Sequence, residues 1–329
     1  SNDTATASLK GPLSVARYSL AATGNSSYGY FGAGIPTTFP VSAVDRIDYS
    51  NDTATAVAKG PLSSDRSRLV ATGNSSYGYF GGGNSGPIIS TVDRIDYSND
   101  TATAVAKGPL SAARYRLAAT GNSSYGYFGG GGNPGSVSTV DRIDYSNDTA
   151  TASLKGPLSV ARYELAASSA RANGFAAIDT TLPAANSPVQ NFPVTFFGYF
   201  GGGFFPSSTS YSTVDRIDYS NDTATASPKG PLSLARYSLA ATGNQSYGYF
   251  GGGGPGPLST VDRIDYANDT ATASSKGPLS AVRYRLAATG NQSYGYFGDG
   301  FPGPVSRVDR IDYSNDTATA SPKGPLSLA

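Results

Sequence analysis

The chain has 329 residues, with 24 Lys and Arg against 23 Asp and Glu for a formal net charge of +1, a balance that gives no electrostatic ground for a nucleic-acid partner. It contains no Cys, His, Met or Trp, which removes disulfides, thiolate zinc sites, the commonest transition-metal ligand and the commonest general base. No apolar run approaches the length of a membrane-spanning helix, so neither membrane insertion nor a metal or other cofactor is expected.

Internal repetition organises everything else. Asn-Asp-Thr-Ala-Thr-Ala begins at Asn2, Asn51, Asn99, Asn147, Asn221, Asn268 and Asn315. The starts are 47 to 49 residues apart, except for 74 between Asn147 and Asn221. Residue 1 falls inside a repeat and Met is absent, so the chain is expected to be a processed or partial product of a longer gene.

In chain order, residues 4–14 read as one strand and its closing turn, a segment that recurs late in every unit. Full units follow, and 69–111 shows their plan. Strands are predicted at 69–74, at 77–80 ahead of Gly81-Gly82-Gly83, at 91–97 ahead of Ser98-Asn99-Asp100, and at 101–106 ahead of Lys107-Gly108-Pro109. The runs are short, β-branched and aromatic, and Gly, Pro, Asn and Asp bound them. No window has the apolar spacing of an amphipathic helix. Four short antiparallel strands in about 48 residues make one blade of a β-propeller, which needs a neighbour on each side to bury both faces. The whole of 1–329 is then a single propeller, with an inserted loop at 168–195. The first three strands occur six times and the fourth seven times. Six closed blades with a spare N-terminal strand are favoured; seven, completed by residues outside this sequence, are the alternative.

The unit resembles the Kelch repeat. Arg66 stands before the first strand, Gly82-Gly83 end the second, and Asp96 lies in the third strand before its turn. The resemblance implies a Kelch-like propeller of four-stranded antiparallel blades. One departure is Thr101 to Ala104 where Kelch repeats usually carry Trp, so smaller side chains, aided by the Tyr and Phe of Tyr-Gly-Tyr-Phe, are expected between blades. The recurring Tyr-Gly-Tyr-Phe-Gly-Gly-Gly, Val-Asp-Arg-Ile-Asp-Tyr and Lys-Gly-Pro-Leu-Ser are also similar to repeats in virion-associated proteins of cyanobacterial phages. That resemblance implies a structural or tail-fibre protein at a virion or extracellular surface, partnered by other virion or fibre subunits or by a host surface glycan.

A side chain present in every unit is read as scaffold, because a catalytic site needs one constellation and not six. Asp93, Arg94 and Asp96 are therefore expected to make ladder and turn contacts, and the glycine triplets to end strands and not to cradle phosphate. Arg17, Arg66, Arg114, Arg162, Arg236 and Arg283 are expected to bridge blades through backbone carbonyls, with anion binding in a central channel as the lesser reading. The Asn-x-Ser/Thr triplets, such as those opened by Asn25, Asn74 and Asn122, belong either to turns or to glycan acceptors.

What differs between units is the better guide to function. The loops after the glycine triplets, 35–42, 84–90, 132–138, 204–212, 254–259 and 301–306, are unique and are expected to gather, exposed, on one face. Ile35, Phe39, Ile88, Phe204, Phe205, Tyr211 and Phe301 are their candidate binding residues, and Phe175 and Phe192 those of the insertion, whose apolar content argues for docking. A non-catalytic binding module follows, presenting variable loops for host-surface or subunit recognition. A carbohydrate-binding lectin-like propeller and a repeat unit of an extracellular fibril are the alternatives. An enzyme is not expected: Glu164 is the single Glu, and the unit-specific Asp65, Asp179 and Asp299 form no evident pair.

Overall fold

A computed structural model describes residues 13–52, 54–169, 197–205, 209–302 and 307–323. In blade 1, strand β1 (Ala21–Gly24) pairs with β2 (Tyr28–Gly32), β2 with β3 (Val44–Asp48), and β3 with β4 (Val57–Lys59), all antiparallel. The same four-stranded meander recurs at 70–107, 118–155, 166–229, 240–276 and 287–323, giving six blades. The first strands of the blades stand side by side around the axis, and the first strand of blade 6 neighbours β1, so the ring closes. The protein is thus an all-β, six-bladed propeller with four-stranded antiparallel blades. Helix among the described residues is limited to single 3-10 turns such as Tyr49–Asn51.

The register explains the repeated words. In Tyr-Gly-Tyr-Phe-Gly, Tyr30 and Phe31 are buried between blades while the glycines make room for the neighbour. A Cβ on Gly32 would come within 2.7 Å of the Phe80 ring of the next blade, and Gly298 stands in the same relation to Phe31 at the closure. Tyr30 stacks on Tyr97 of blade 2 with ring centroids 4.7 Å apart. The space left by the missing Trp is therefore filled mainly by aromatic rings, with Ala104 packed beside them.

The fourth strand departs from the prediction. In blade 2 it is Val105–Lys107, whereas 101–104 are turn and coil. Ala102 N–H returns to Asn99 O, and Ala104 N–H donates at 2.8 Å to Pro61 O of blade 1. The Thr-Ala-Thr-Ala stretch thus bonds across to the preceding blade before the ladder begins. The third strand also ends at Asp96, because its carboxylate accepts from Ser98 N–H at 2.9 Å and starts a 3-10 turn.

Of the N-terminal copy of the fourth strand, 4–12 lie outside the described residues. Its end is in place: Leu13 is buried with Phe31, and Ser14 N–H donates to Asp45 at 3.1 Å.

Candidate functional site

The charged residues that recur in every unit are occupied by the scaffold. Arg17 donates to Asp45 at 2.8 Å and to Phe31 O, and both members of the pair are fully buried. Arg66 does the same with Asp93 and Phe80 O. These arginines lie inside their own blades and line no part of the channel, so the lesser reading of them as a channel anion site does not hold. The bridge to the neighbouring blade is made by the Arg backbone, whose carbonyl at Arg66 accepts from Gly34 N–H of blade 1. Removing one member of such a buried pair typically costs about 3–5 kcal/mol, because it strands a charge in a low-dielectric interior.

Between blades the hub is the Asp of Asn-Asp-Thr, which sequence reasoning took for turn chemistry. Asp100 of blade 2 accepts from Tyr30 Oη at 2.9 Å, Arg46 at 2.7 Å and Lys59 Nζ at 3.0 Å, all from blade 1. Burial opposes its ionisation, but the bonds from Lys59, Tyr30 and Arg46 win and hold its carboxyl below the usual range. Burial and the Asp100 carboxylate push the Tyr30 phenol strongly upward. Asn25 also behaves as turn chemistry: its side-chain oxygen accepts from Ser27 and Tyr28 N–H, each at 2.9 Å.

With the repeated side chains spent, the blade-specific ones stand out. Each inner strand is entered through one residue that differs from blade to blade: Ser19, Arg68, Arg116, Glu164, Ser238 and Arg285. All six have φ between 54° and 58°, the left-handed region that L-residues enter at a cost of about 1–2 kcal/mol. A closed circle of backbone bonds holds them there. Each N–H donates to the rim carbonyl of the blade before, from 2.7 Å for Glu164 to Arg116 up to 3.2 Å for Ser19 to Arg285. The rim backbone is therefore self-satisfied, and only side chains face the channel mouth.

Below the rim the channel passes Leu20 and its five counterparts and reaches Thr23, Thr72, Thr120, Ser168, Thr242 and Thr289 at the far end. The mouth itself is a cavity of about 110 Å³. Glu164 is bound on both sides, by Arg116 Nε at 3.0 Å and by Ser238 Oγ at 2.6 Å. Burial and the like charges of Arg116 and Arg285 pull the Arg68 guanidinium down from its ordinary value.

The variable loops lie on this same face, since they leave the end of each second strand that adjoins the start of the first. Tyr18, next to Ser19, pairs with Ile35; Tyr163 pairs with Phe204, and Tyr284 with Phe301. The structure brings Ile35, Ile88, Phe204, Tyr211 and Phe301 to the face but half-buries them, contrary to the expectation that they are exposed. Phe301 packs edge-on to Tyr284, and Phe204 packs against Tyr163 and Tyr237. Among the described residues of these loops, Phe39 (77 % exposed) and Phe205 (38 %) are the large apolar side chains that project.

Phe175 and Phe192 lie outside the described residues. The described residues that flank the insertion, Ser169 at the end of one strand and Phe197 at the start of the next, lie at the face opposite the variable loops. Of the unit-specific aspartates, Asp65 is exposed and Asp299 is fully buried, while Asp179 lies outside the described residues. Sequence reasoning missed the rim. The signal was there, as the varying residue two places after the Arg before each first strand, from Arg17 and Ser19 to Arg283 and Arg285.

No protein-family model matches the chain, and no curated protein matches it. Among solved structures, the one described as the structure of YjhT superposes with a TM-score of 0.72 over 96 % of this chain and 100 % of that one, at 12 % sequence identity. At that identity the likeness shows the propeller fold alone.

Proposed function

We propose that this protein is a non-catalytic recognition module whose loop face and channel mouth engage a host-surface component or a neighbouring subunit. The observation that carries this reading is the division of labour between faces and interior. The charged residues common to all blades are bonded within or between blades, whereas blade-specific residues collect on one face around the channel. The resemblance of the repeats to those of virion-associated phage proteins supports placing such a module in a virion or extracellular fibre. Against catalysis stand the lack of His and Cys, the engagement of Glu164 by Arg116 and Ser238, and the lack of any group of three or more metal-ligating side chains among the described residues.

A second reading, a lectin-like propeller, is favoured by the aromatic collar of Tyr163, Tyr237 and Tyr284 with Phe204 and Phe301, since rings of this kind stack on sugars.

Cryo-electron microscopy of the native assembly, with association measured for a Phe39→Ser, Phe205→Ser double variant, tests the proposal. Loops that contact another molecule, and association that falls in the variant, support it. A loop face left bare in the assembly, with association unchanged in the variant, overturns it. Glycan-array binding lost in the variant selects the lectin reading.

A further inference from the structure

The rim of the channel carries more positive charge than its one carboxylate neutralises. Arg68, Arg116 and Arg285 share the mouth with Glu164, and Glu164 is held by Arg116 at 3.0 Å. Among the described residues, no carboxylate lies within ion-pair distance of Arg68 or Arg285. This sets them apart from the repeated arginines, such as Arg17 on Asp45 and Arg46 on Asp100, each of which meets an aspartate. Guanidiniums present forked donors that suit planar or tetrahedral oxyanions.

We propose that the channel mouth is a binding site for an oxyanionic group, a carboxylate or a phosphate on a small ligand, held between Arg68 and Arg285 with Arg116 and Glu164 as a fixed charged wall. The cavity of about 110 Å³ suits a group of that size and excludes a folded chain. The rim backbone offers the ligand no donors, because its N–H groups are all committed to the circle of rim carbonyls. Recognition therefore falls on the side chains, the part of the rim that varies between blades. The site lies on the face proposed above for recognition and rests on that reading for its biological use.

The fold supplies its own control. Blades 1 and 5 carry Ser at this position with φ of 57° and 54°, so Arg68→Ser and Arg285→Ser place in the rim a residue it already accommodates. Titration calorimetry in low-salt buffer with inorganic phosphate and, separately, citrate tests the site; circular dichroism confirms folding of each variant. Saturable binding of at least one probe is expected, weakened about tenfold or more by either replacement, removed by both, and weakened by added salt. Citrate binding without phosphate binding identifies the group as a carboxylate, and the reverse identifies a phosphate. No saturable binding of either probe, or binding that survives the double replacement, overturns the proposal. Phe39→Ser with Phe205→Ser is expected to leave probe affinity unchanged, so failure of the loop reading and failure of the anion site are scored separately.

Discussion

Arg310 of blade 6 and Asp52 of blade 1 stand 3.6 Å apart, whereas the five equivalent pairs around the ring close to between 2.6 and 2.8 Å. Other contacts at that seam are longer too. Tyr296 Oη lies 3.3 Å from Asp52, against 2.7 to 2.9 Å for its counterparts. The Tyr49–Tyr296 stack is at 5.1 Å, against 4.6 to 4.8 Å. One set of bonds, repeated six times in nearly the same words, is thus looser where the two ends of the chain meet.

Opening is accordingly expected first at the seam between blades 6 and 1. Ser19 N–H donates across it at 3.2 Å, while Arg116 and Glu164 N–H make the same rim bond elsewhere at 2.9 and 2.7 Å. Native-state hydrogen exchange is expected to show faster exchange at Ser19 than at Arg116 and Glu164, since amides report the local free energy of opening. Equal protection around the rim would show that the ring opens only as a whole.

The hub aspartates are expected to differ in the same sense. Asp148→Ala strands Tyr79, Arg94 and Lys107, which now meet the carboxylate at 2.9, 2.7 and 3.2 Å, and is expected to cost about 3–5 kcal/mol. Asp52→Ala, at the longer contacts, is expected to cost less. Denaturant unfolding of the two variants checks the order, and a larger loss for Asp52→Ala would contradict the looser seam.

Asp299 is a liability built into that seam. It is fully buried, sits at φ 57°, and neither carboxylate oxygen makes a full hydrogen bond. Blades 2 to 5 have Gly at this place, with φ of 66° to 70°. Burial drives the Asp299 carboxyl far above the usual range, against the smaller pull of Arg17 and Arg283. An acid whose folded pKa is raised weakens the fold progressively as pH rises above its unfolded value of about 3.9. Asp299→Gly is therefore expected to stabilise the protein at every pH, by about 1–3 kcal/mol for the unmet buried group alone, and by more near pH 7 than near pH 4. Unfolding curves at the two pH values decide it. A gain that shrinks as pH rises would mean that Asp299 is ionised and supported in the folded state.

The propeller was legible in the sequence because its determinants are local and repeated. Gly-Gly-Gly after Tyr-Gly-Tyr-Phe, Asp96 before Ser98, and Asn25 before Ser27 each act within a few residues, so strand ends and turns follow from composition and spacing. The scaffold role of the repeated Arg and Asp was legible for a related reason, since a residue needed six times is needed by the blade. The fourth strand was misplaced because Ala104 is held by Pro61 of another blade, a contact invisible along the chain. The half-burial of Phe204 and Phe301 came in the same way from tyrosines distant in sequence: Tyr163 of its own blade and Tyr237 of the next for Phe204, Tyr284 of its own blade and Tyr18 of the next for Phe301.

The sequence by itself therefore determined the blade, as four short strands and their turns, whereas the Arg–Asp pair inside each blade and the choice of six blades over seven came from the structure. Only the tertiary structure decided what the blades make together. Closing the ring brings Arg68, Arg116, Glu164 and Arg285, separated by 48 to 217 positions in the chain, around one channel mouth. Closure also makes the end-to-end seam the weak one, because a ring of near-equal repeats must join its two chain ends at one place.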